Sequence, residues 1–193
     1  MQQTNIFGIQ GGKGSFNEEA CVQHCKEKGI SDYSVSYLYT TEKVLAALDE
    51  GSITHGQFAI QNAIGGMVRE SVHALSRHVC SIDDEFLFEV HHCLLVRPGV
   101  TLHDVKTIMS HPQALAQGQH TLARTYKNIE KKSGEGDFID QAHVAEQLGK
   151  GNFDDSVAVL APKICASLFS LDVVAEGLQD MHENVTTFLW VTK

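Results

Sequence analysis

An α/β fold is what this sequence predicts, and three features carry the expectation. Short apolar, β-rich runs alternate with helix-period patterns, glycine-bearing turns separate them, and helix-start signals follow directly on several of the runs. Ile6-Phe7-Gly8-Ile9 reads as a buried strand, and Gly11-Gly12-Lys13-Gly14 as a tight loop. Ser15-Phe16-Asn17-Glu18 has the form of a capping box, with Ser15 as the cap. The helix it opens is expected to run to about Lys28 and to stop at Gly29. Tyr33 to Leu38 alternates as a strand, and Glu42 to Glu50 reads as a helix closed by Gly51. Gln57-Phe58-Ala59-Ile60 is a third strand running straight into Gln61-Asn62-Ala63-Ile64-Gly65-Gly66, after which Val68, Val72 and Leu75 mark a helix face. Three strand–helix units in succession predict a parallel sheet covered by helices up to about residue 80.

Glu85 to Val96 is too long and β-rich for one buried strand, and reads as a crossover between two lobes that ends at the turn Arg97-Pro98-Gly99. The apolar run Val105 to Met109 then meets Ser110-His111-Pro112-Gln113-Ala114-Leu115-Ala116-Gln117. Ser110 suits the N-cap, Pro112 the first turn, and Gln113 completes a capping box. Gln117 lies two turns on, so it and Ser110 can face the same side. Open amides with two neutral hydrogen-bonding side chains suit a small anion. Lys127 to Gly136, including Lys131-Lys132, reads as a polar, solvated loop. Asp140 is expected to cap a helix ending near Gly149, and Ser156 to Leu160 to form a buried strand. Pro162 is expected in the first turn of the next helix. Asp172 to Ala175 and Thr186 to Val191 complete the strands, with Trp190 as a core residue.

A chain of 193 residues is long enough for one domain or two small lobes. Its net charge of -9 argues against general nucleic-acid binding, which needs a basic surface. An anionic ligand would therefore be held by local dipoles and a few cations. No apolar run reaches membrane-spanning length and Met1 to Asn5 is not a signal peptide, so a cytoplasmic protein is expected. Cys21, Cys25, Cys80, Cys93 and Cys165 are an odd, scattered set that suits neither a disulfide framework nor a zinc site. The glycine loop fits neither Gly-x-Gly-x-x-Gly nor a phosphate-loop spacing, so no nucleotide, metal or other cofactor is expected. His24, His91, His92 and His143 read as core-edge or surface histidines, since no nucleophile is paired with them.

The junctions at Gly14-Ser15, Asn62 to Gly66 and Ser110-His111 lie where open α/β sheets place ligands, beyond the carboxyl ends of strands. Taken in order, the motifs Ile9 to Ala20, Ala59 to Gly66, Ser110 to Gln117, Ala175 to Asp180 and Asn184 to Leu189 resemble those of the prephenate dehydratases. The Ser-His-Pro-Gln-Ala-Leu-x-Gln segment is the most specific of them. The resemblance implies a two-lobed, periplasmic-binding-protein-like catalytic domain with a cleft between the lobes. Lobe one would take about residues 1–84 and 169–193, and lobe two about 85–168. It implies loss of carbon dioxide and the ring hydroxyl from prephenate, or from its relative arogenate, and a homodimer. The regulatory ACT domain that often follows is not expected here, nor is feedback through it.

Site residues follow from the same resemblance. Thr186 would donate to the departing hydroxyl, while Asn62, Ser110 and Gln117 would orient the substrate. Gly14, Ser15, Gln61, Ala63, His111, Thr187 and Phe188 would line the substrate site. Three positions depart from the family pattern: Gln61 stands for Glu, Ala63 for Ser or Thr, and Thr187 for Arg. Losing the Arg removes a fixed cation and its hydrogen-bond fork, for which Lys13, Arg69 or Lys163 would have to compensate. The departures keep two alternatives open, a non-aromatising decarboxylase and a silent binding protein of the same fold.

Overall fold

The computed structural model describes residues 5–134, 140–181 and 183–193. Two compact units emerge, Met1–Val90 with Glu183–Lys193, and His91–His182. Each has its own sheet.

In the first unit the chain forms β1 (Asn5–Ile9), α1 (Phe16–Glu27), β2 (Tyr33–Tyr37), α2 (Thr41–Asp49) and β3 (His55–Asn62). It continues through β4 (Gly66–Met67), α3 (Arg69–Leu75) and β5 (Ser81–Glu89). In the second it forms β6 (Cys93–Val96), β7 (Thr107–Met109), α4 (Pro112–Gln117), α5 (Gln119–Thr125) and β8 (Glu130–Lys132). Then come α6 (Gln141–Gly149), β9 (Val157–Ala161), α7 (Ile164–Phe169) and β10 (Asp172–Ala175), and finally β11 (Val185–Thr192), which belongs to the first unit.

The first sheet runs β2-β1-β3-β11-β5, with the short β4 paired to β3. β1 is parallel to β2 and β3, whereas β11 is antiparallel to β3 and β5. The three strand–helix units therefore do build a parallel core, and the last strand of the chain inserts beside it. On one face Val44, Leu45 and Leu48 of α2 and Ala74 of α3 pack on Phe58, Leu189 and Val191. On the other, Cys21 and Cys25 of α1 pack with Phe7, Ile9 and Trp190, and Ala20 with Ala59, Phe88 and Phe188. Alternate residues of β11 thus feed opposite faces, as the period of a strand demands. Trp190 is core, and its indole N–H donates to Gln57 Oε1 at 2.8 Å, which satisfies both buried polar groups.

The second sheet runs β10-β6-β9-β7-β8, and only the β7 pairings with β8 and β9 are parallel. β6 is buried along its whole length, and Ala158 to Ala161 of β9 are fully buried, because helices cover both faces. Val144, Ala145 and Leu148 of α6 pack on one side, and Ala114 of α4 and Leu122 of α5 on the other.

Local signals behaved as expected where the bonding is local. Ser15 and Asp140 cap α1 and α6, and Gly29 and Gly51 adopt the positive φ that ends a helix; α2 is capped by Thr40, which the sequence reading did not single out. Long-range pairing overturned several other expectations. Glu85 to Val96 does cross between the two units, as read, but as two strands, β5 in one sheet and β6 in the other. Boundaries at 84 and 169 do not match the sheets, since Glu85–Glu89 pairs with β11 and Asp172–Ala175 pairs with β6. Asn62 to Gly66 is a hairpin turn into β4, not a direct helix start. The expected loop from Lys127 contains β8, recruited by the parallel ladder with β7, while its residues 135 and 136 lie outside the described residues, as do Met1 to Thr4. Val72 stands 36% exposed because α3 turns Ser71 and Ala74 inward instead, with Ser71 Oγ bonded to Thr41 Oγ1 at 2.8 Å. Pro162 precedes the cap of α7, which is Lys163.

Gly118 joins α4 to α5, and a Cβ there would lie 2.6 Å from the Leu178 carbonyl oxygen. Backbone cannot yield as a side chain can. Gly118→Ala is expected to destabilise the second unit by about 1–3 kcal/mol, read as a lowered midpoint in urea unfolding; an unchanged midpoint would refute the close approach.

Candidate active site

The register of β11 on β3 sets Thr186 opposite Asn62, with a shift between Thr187 and Phe188 that leaves one extra residue, Ile60, on β3. Asn62 and Ala59, three apart, are thereby brought to one face, the face that carries Thr186 and Phe188. The Asn62 amide is held at both ends. Its oxygen accepts from the N–H groups of Ile64 at 3.0 Å and Gly65 at 2.8 Å, an Asx turn closing the hairpin. Its nitrogen donates to Asn184 Oδ1 and to Thr186 Oγ1, each at 2.9 Å. Asn184 is fully buried, and Thr186 is 7% exposed. Because the Thr186 hydroxyl accepts from Asn62, its own hydrogen is directed elsewhere, as a donor.

The glycine loop is arranged differently from the sequence expectation. The Gly14 N–H donates to Glu18 Oε2 at 2.5 Å, and the Ser15 N–H to the Gly12 carbonyl at 3.2 Å. Ser15 Oγ accepts from the Glu18 N–H at 3.3 Å. Glu18 is 5% exposed and its other oxygen accepts from the Tyr37 hydroxyl at 2.5 Å. Burial, and then the bond to Glu18, push the Tyr37 phenol up, so it stays a neutral donor. The protein's own carboxylate therefore occupies the start of α1. Gly14 and Ser15 are thus parts of a cap in which Glu18 already takes the Gly14 N–H and Ser15 takes the Glu18 N–H.

In the second unit the N-cap of α4 is His111, not Ser110, with His111 Nδ1 accepting from the Gln113 N–H at 3.1 Å. Ser110 is fully buried, its hydroxyl donating to the Leu160 carbonyl at 2.6 Å with Gln141 Oε1 3.2 Å away. Its proton is thus committed to holding β7 against β9. Gln117, by contrast, carries its amide oxygen 2.7 Å from Nε2 of the buried His92. Four substrate positions sort by burial. Gln61 and Ala63 are exposed, Thr187 is half-buried opposite Gln61, and Phe188 is a core residue packed on Phe86 and Phe88 rather than a ligand contact. Of the compensating cations, Lys13 and Arg69 are exposed, and Lys163 is paired with Glu176 at 2.8 Å.

A family description, prephenate dehydratase, matches residues 7–193. The chain belongs to the prephenate dehydratase family. Arogenate dehydratase/prephenate dehydratase 2 of Arabidopsis thaliana, a chloroplastic protein, is 30% identical over 184 residues, covering 95% of this chain and 45% of that protein. Arogenate dehydratase 1 of Petunia hybrida is 35% identical over 134 residues, covering 69% of this chain and 30% of its own length. The chain thus spans less than half the length of these curated relatives. Among solved structures, prephenate dehydratase from Arthrobacter aurescens in complex with L-Phe superposes with a TM-score of 0.81 at 25% identity, covering 97% of this chain and 60% of that one. GqqA, described as a novel type of quorum quenching acylase, gives the same TM-score and identity, covering 98% and 64%.

Within the prephenate dehydratase framework, the structure brings Thr186 and Asn62 together, as the sequence suggested, and adds two residues. Asn184 was read as part of a motif without a role, yet it anchors Asn62. His92 was read as an ordinary histidine, yet it is bonded to Gln117. Its signal was a polar residue at the head of the wholly apolar Cys93-Leu94-Leu95-Val96. Among the described residues no cluster of His, Cys, Asp or Glu is placed to hold a metal, and Cys21 and Cys25 line the core. Glu18→Ala is expected to cost about 1–3 kcal/mol of stability, because it strips the Gly14 N–H and the Tyr37 hydroxyl of their acceptor. Urea unfolding measures it, and a neutral variant would mean the cap is not closed by Glu18.

Proposed function

We propose that this chain carries the catalytic machinery of a lyase that converts prephenate, or arogenate, to the aromatic product of the phenylalanine route. The observation that carries the reading is the Thr186 hydroxyl, which accepts from Asn62 and so must point its hydrogen at another acceptor. In the reaction the bond from the ring to its carboxylate breaks, and the electron pair moves into the ring. The ring C–O bond then breaks, and the oxygen leaves as water once it gains a proton. Aromatisation drives the step, so the protein mainly has to stabilise the departing oxygen. A threonine hydroxyl is a weak acid, and Thr186 is therefore a hydrogen-bond donor or proton relay rather than an independent acid.

Asn62 holds that hydroxyl in one orientation, and Asn184 holds Asn62. Gln117 is proposed to bind a substrate carboxylate through its amide, and His111 and Thr187 to offer polar contacts. An acylase reading, raised by the likeness to GqqA, would need a general base beside the hydroxyl. Among the described residues the side chain bonded to Thr186 Oγ1 is the Asn62 amide, which takes no proton.

Purified protein incubated with prephenate is expected to form phenylpyruvate, followed by its absorbance in alkali, and with arogenate to form phenylalanine. Carbon dioxide release without an aromatic product would establish the decarboxylase, and saturable binding without turnover the silent binding protein. Thr186→Ala is expected to lower kcat by about 10²–10⁴-fold with KM changed only a few-fold, and full activity in that variant would remove Thr186 from the mechanism. We also infer a homodimer in a reducing compartment such as the cytoplasm. Five free thiols support the compartment, and the family resemblance supports the dimer. Sedimentation equilibrium should return twice the chain mass, and a monomer across the working range would overturn the assembly.

A further inference from the structure

We propose that His92 is a positioning residue that fixes the polarity of the Gln117 carboxamide, so that an anionic ligand meets its NH2 group and not its oxygen. The inference deepens the proposed function and rests on Gln117 serving that site. Gln117 Oε1 lies 2.7 Å from His92 Nε2. An amide oxygen only accepts, so the proton of this bond sits on Nε2 of the imidazole. With its oxygen bound to His92, the amide has only N–H groups to offer a further acceptor. The opposite arrangement, with Gln117 donating to a bare Nε2, would present an oxygen to the ligand and repel a carboxylate.

His92 is well placed to set that choice. Only 2% of it is exposed, and its backbone is tied at both ends: its N–H donates to Gln179 Oε1 at 3.1 Å, and its carbonyl accepts from the Leu178 N–H at 3.0 Å. Gln179 is itself 2% exposed, with its Nε2 3.1 Å from His91 Nδ1. The backbone of Gln117 is fixed as well. Its carbonyl accepts from the Asp180 N–H at 2.7 Å, and the Asp180 carboxylate accepts from the N–H groups of His120 at 2.8 Å and Thr121 at 2.7 Å. One segment, Leu178 to Asp180, thus grips the histidine and the glutamine together. Burial holds the His92 imidazole below the usual histidine range, so it is neutral at pH 7 and its tautomer is a real choice. A leucine at 92 would fill the space but leave the amide free to turn over.

The test is a double-mutant cycle with prephenate as substrate: His92→Leu and His92→Gln, each alone and in Gln117→Ala. His92→Leu alone is expected to lower kcat/KM by about 10–100-fold, the loss of one well-made hydrogen bond to a charged ligand. In the Gln117→Ala background it should change kcat/KM less than about twofold, because nothing is left to orient. His92→Gln, which keeps an N–H donor, should recover most of the lost activity. Equal losses in both backgrounds, or full activity in His92→Leu, would overturn the inference while leaving Gln117 in the site. Full activity in Gln117→Ala would instead overturn the assignment of Gln117, and the inference with it. Should the leucine variant not fold, ¹⁵N NMR of the unaltered protein decides: the Nε2–H tautomer at His92 supports the proposal, and the Nδ1–H tautomer refutes it.

Discussion

The pairing of β11 with β3 is the constraint on which the candidate site depends, because it supplies Thr186 and orients it in one stroke. β3 belongs to the parallel core made by the first 62 residues, while β11 arrives from the far end of the chain. A regular ladder would set Ala59 and Asn62 on opposite faces. The extra residue at Ile60 removes that conflict, so the aromatic packing of Phe188 on Phe86 and the polar pair Asn62–Thr186 share a face. Bulges commonly re-aim a side chain beside a site. Here the bulge lets an apolar cluster stop and a polar one begin within two residues of β11. Asn184, just ahead of the strand, then takes the remaining Asn62 hydrogen.

How much of this was legible in the sequence follows from the range of the bonds involved. Ser15, Asp140, Gly29 and Gly51 were read correctly because a cap bonds to residues within one turn. Ser110 was misread for the same reason it once looked like a cap: a serine before His-Pro serves that end equally well on paper, but the Leu160 carbonyl, fifty residues away, claims its hydroxyl. Val72 was misplaced because α2 presents a hydroxyl to α3, and Ser71 answers it. Lys131 and Lys132 joined a strand through the backbone ladder with β7, to which their side chains are indifferent. His92 and Asn184 were passed over because a polar residue beside an apolar run reveals neither its burial nor its partner.

The glycine loop shows why a helix start alone does not identify a ligand site. A capping box reads the same whether its acidic residue serves the box or leaves room for an anion. In this fold Glu18 reaches back to Gly14, and the Tyr37 hydroxyl from β2 closes the other side of the carboxylate. Two donors then satisfy the oxygens of a buried side chain whose burial unpaired would be costly. The hydrogen bonds of the loop therefore have a reason internal to the first unit.

Two unusual positions remain, Gln61 and Thr187. They are direct partners in the β3–β11 register, so their side chains leave the sheet on the same side. The resemblance pairs Glu with Arg at these places, and this chain has replaced both members with neutral groups. Replacing one alone would strand a charge next to a polar pair that must hold a hydroxyl steady. Replacing both conserves the local charge, and the backbone ladder that carries Thr186 needs neither. In a protein of net charge -9, two neutral hydrogen-bonding groups are held by a partner inside their own unit, the Thr186 hydroxyl by Asn62 and the Gln117 amide by His92. Neutral donors attract an anion only while they point the right way, which is why the bonds from Asn62 to Thr186 and from His92 to Gln117 matter to the reading proposed above.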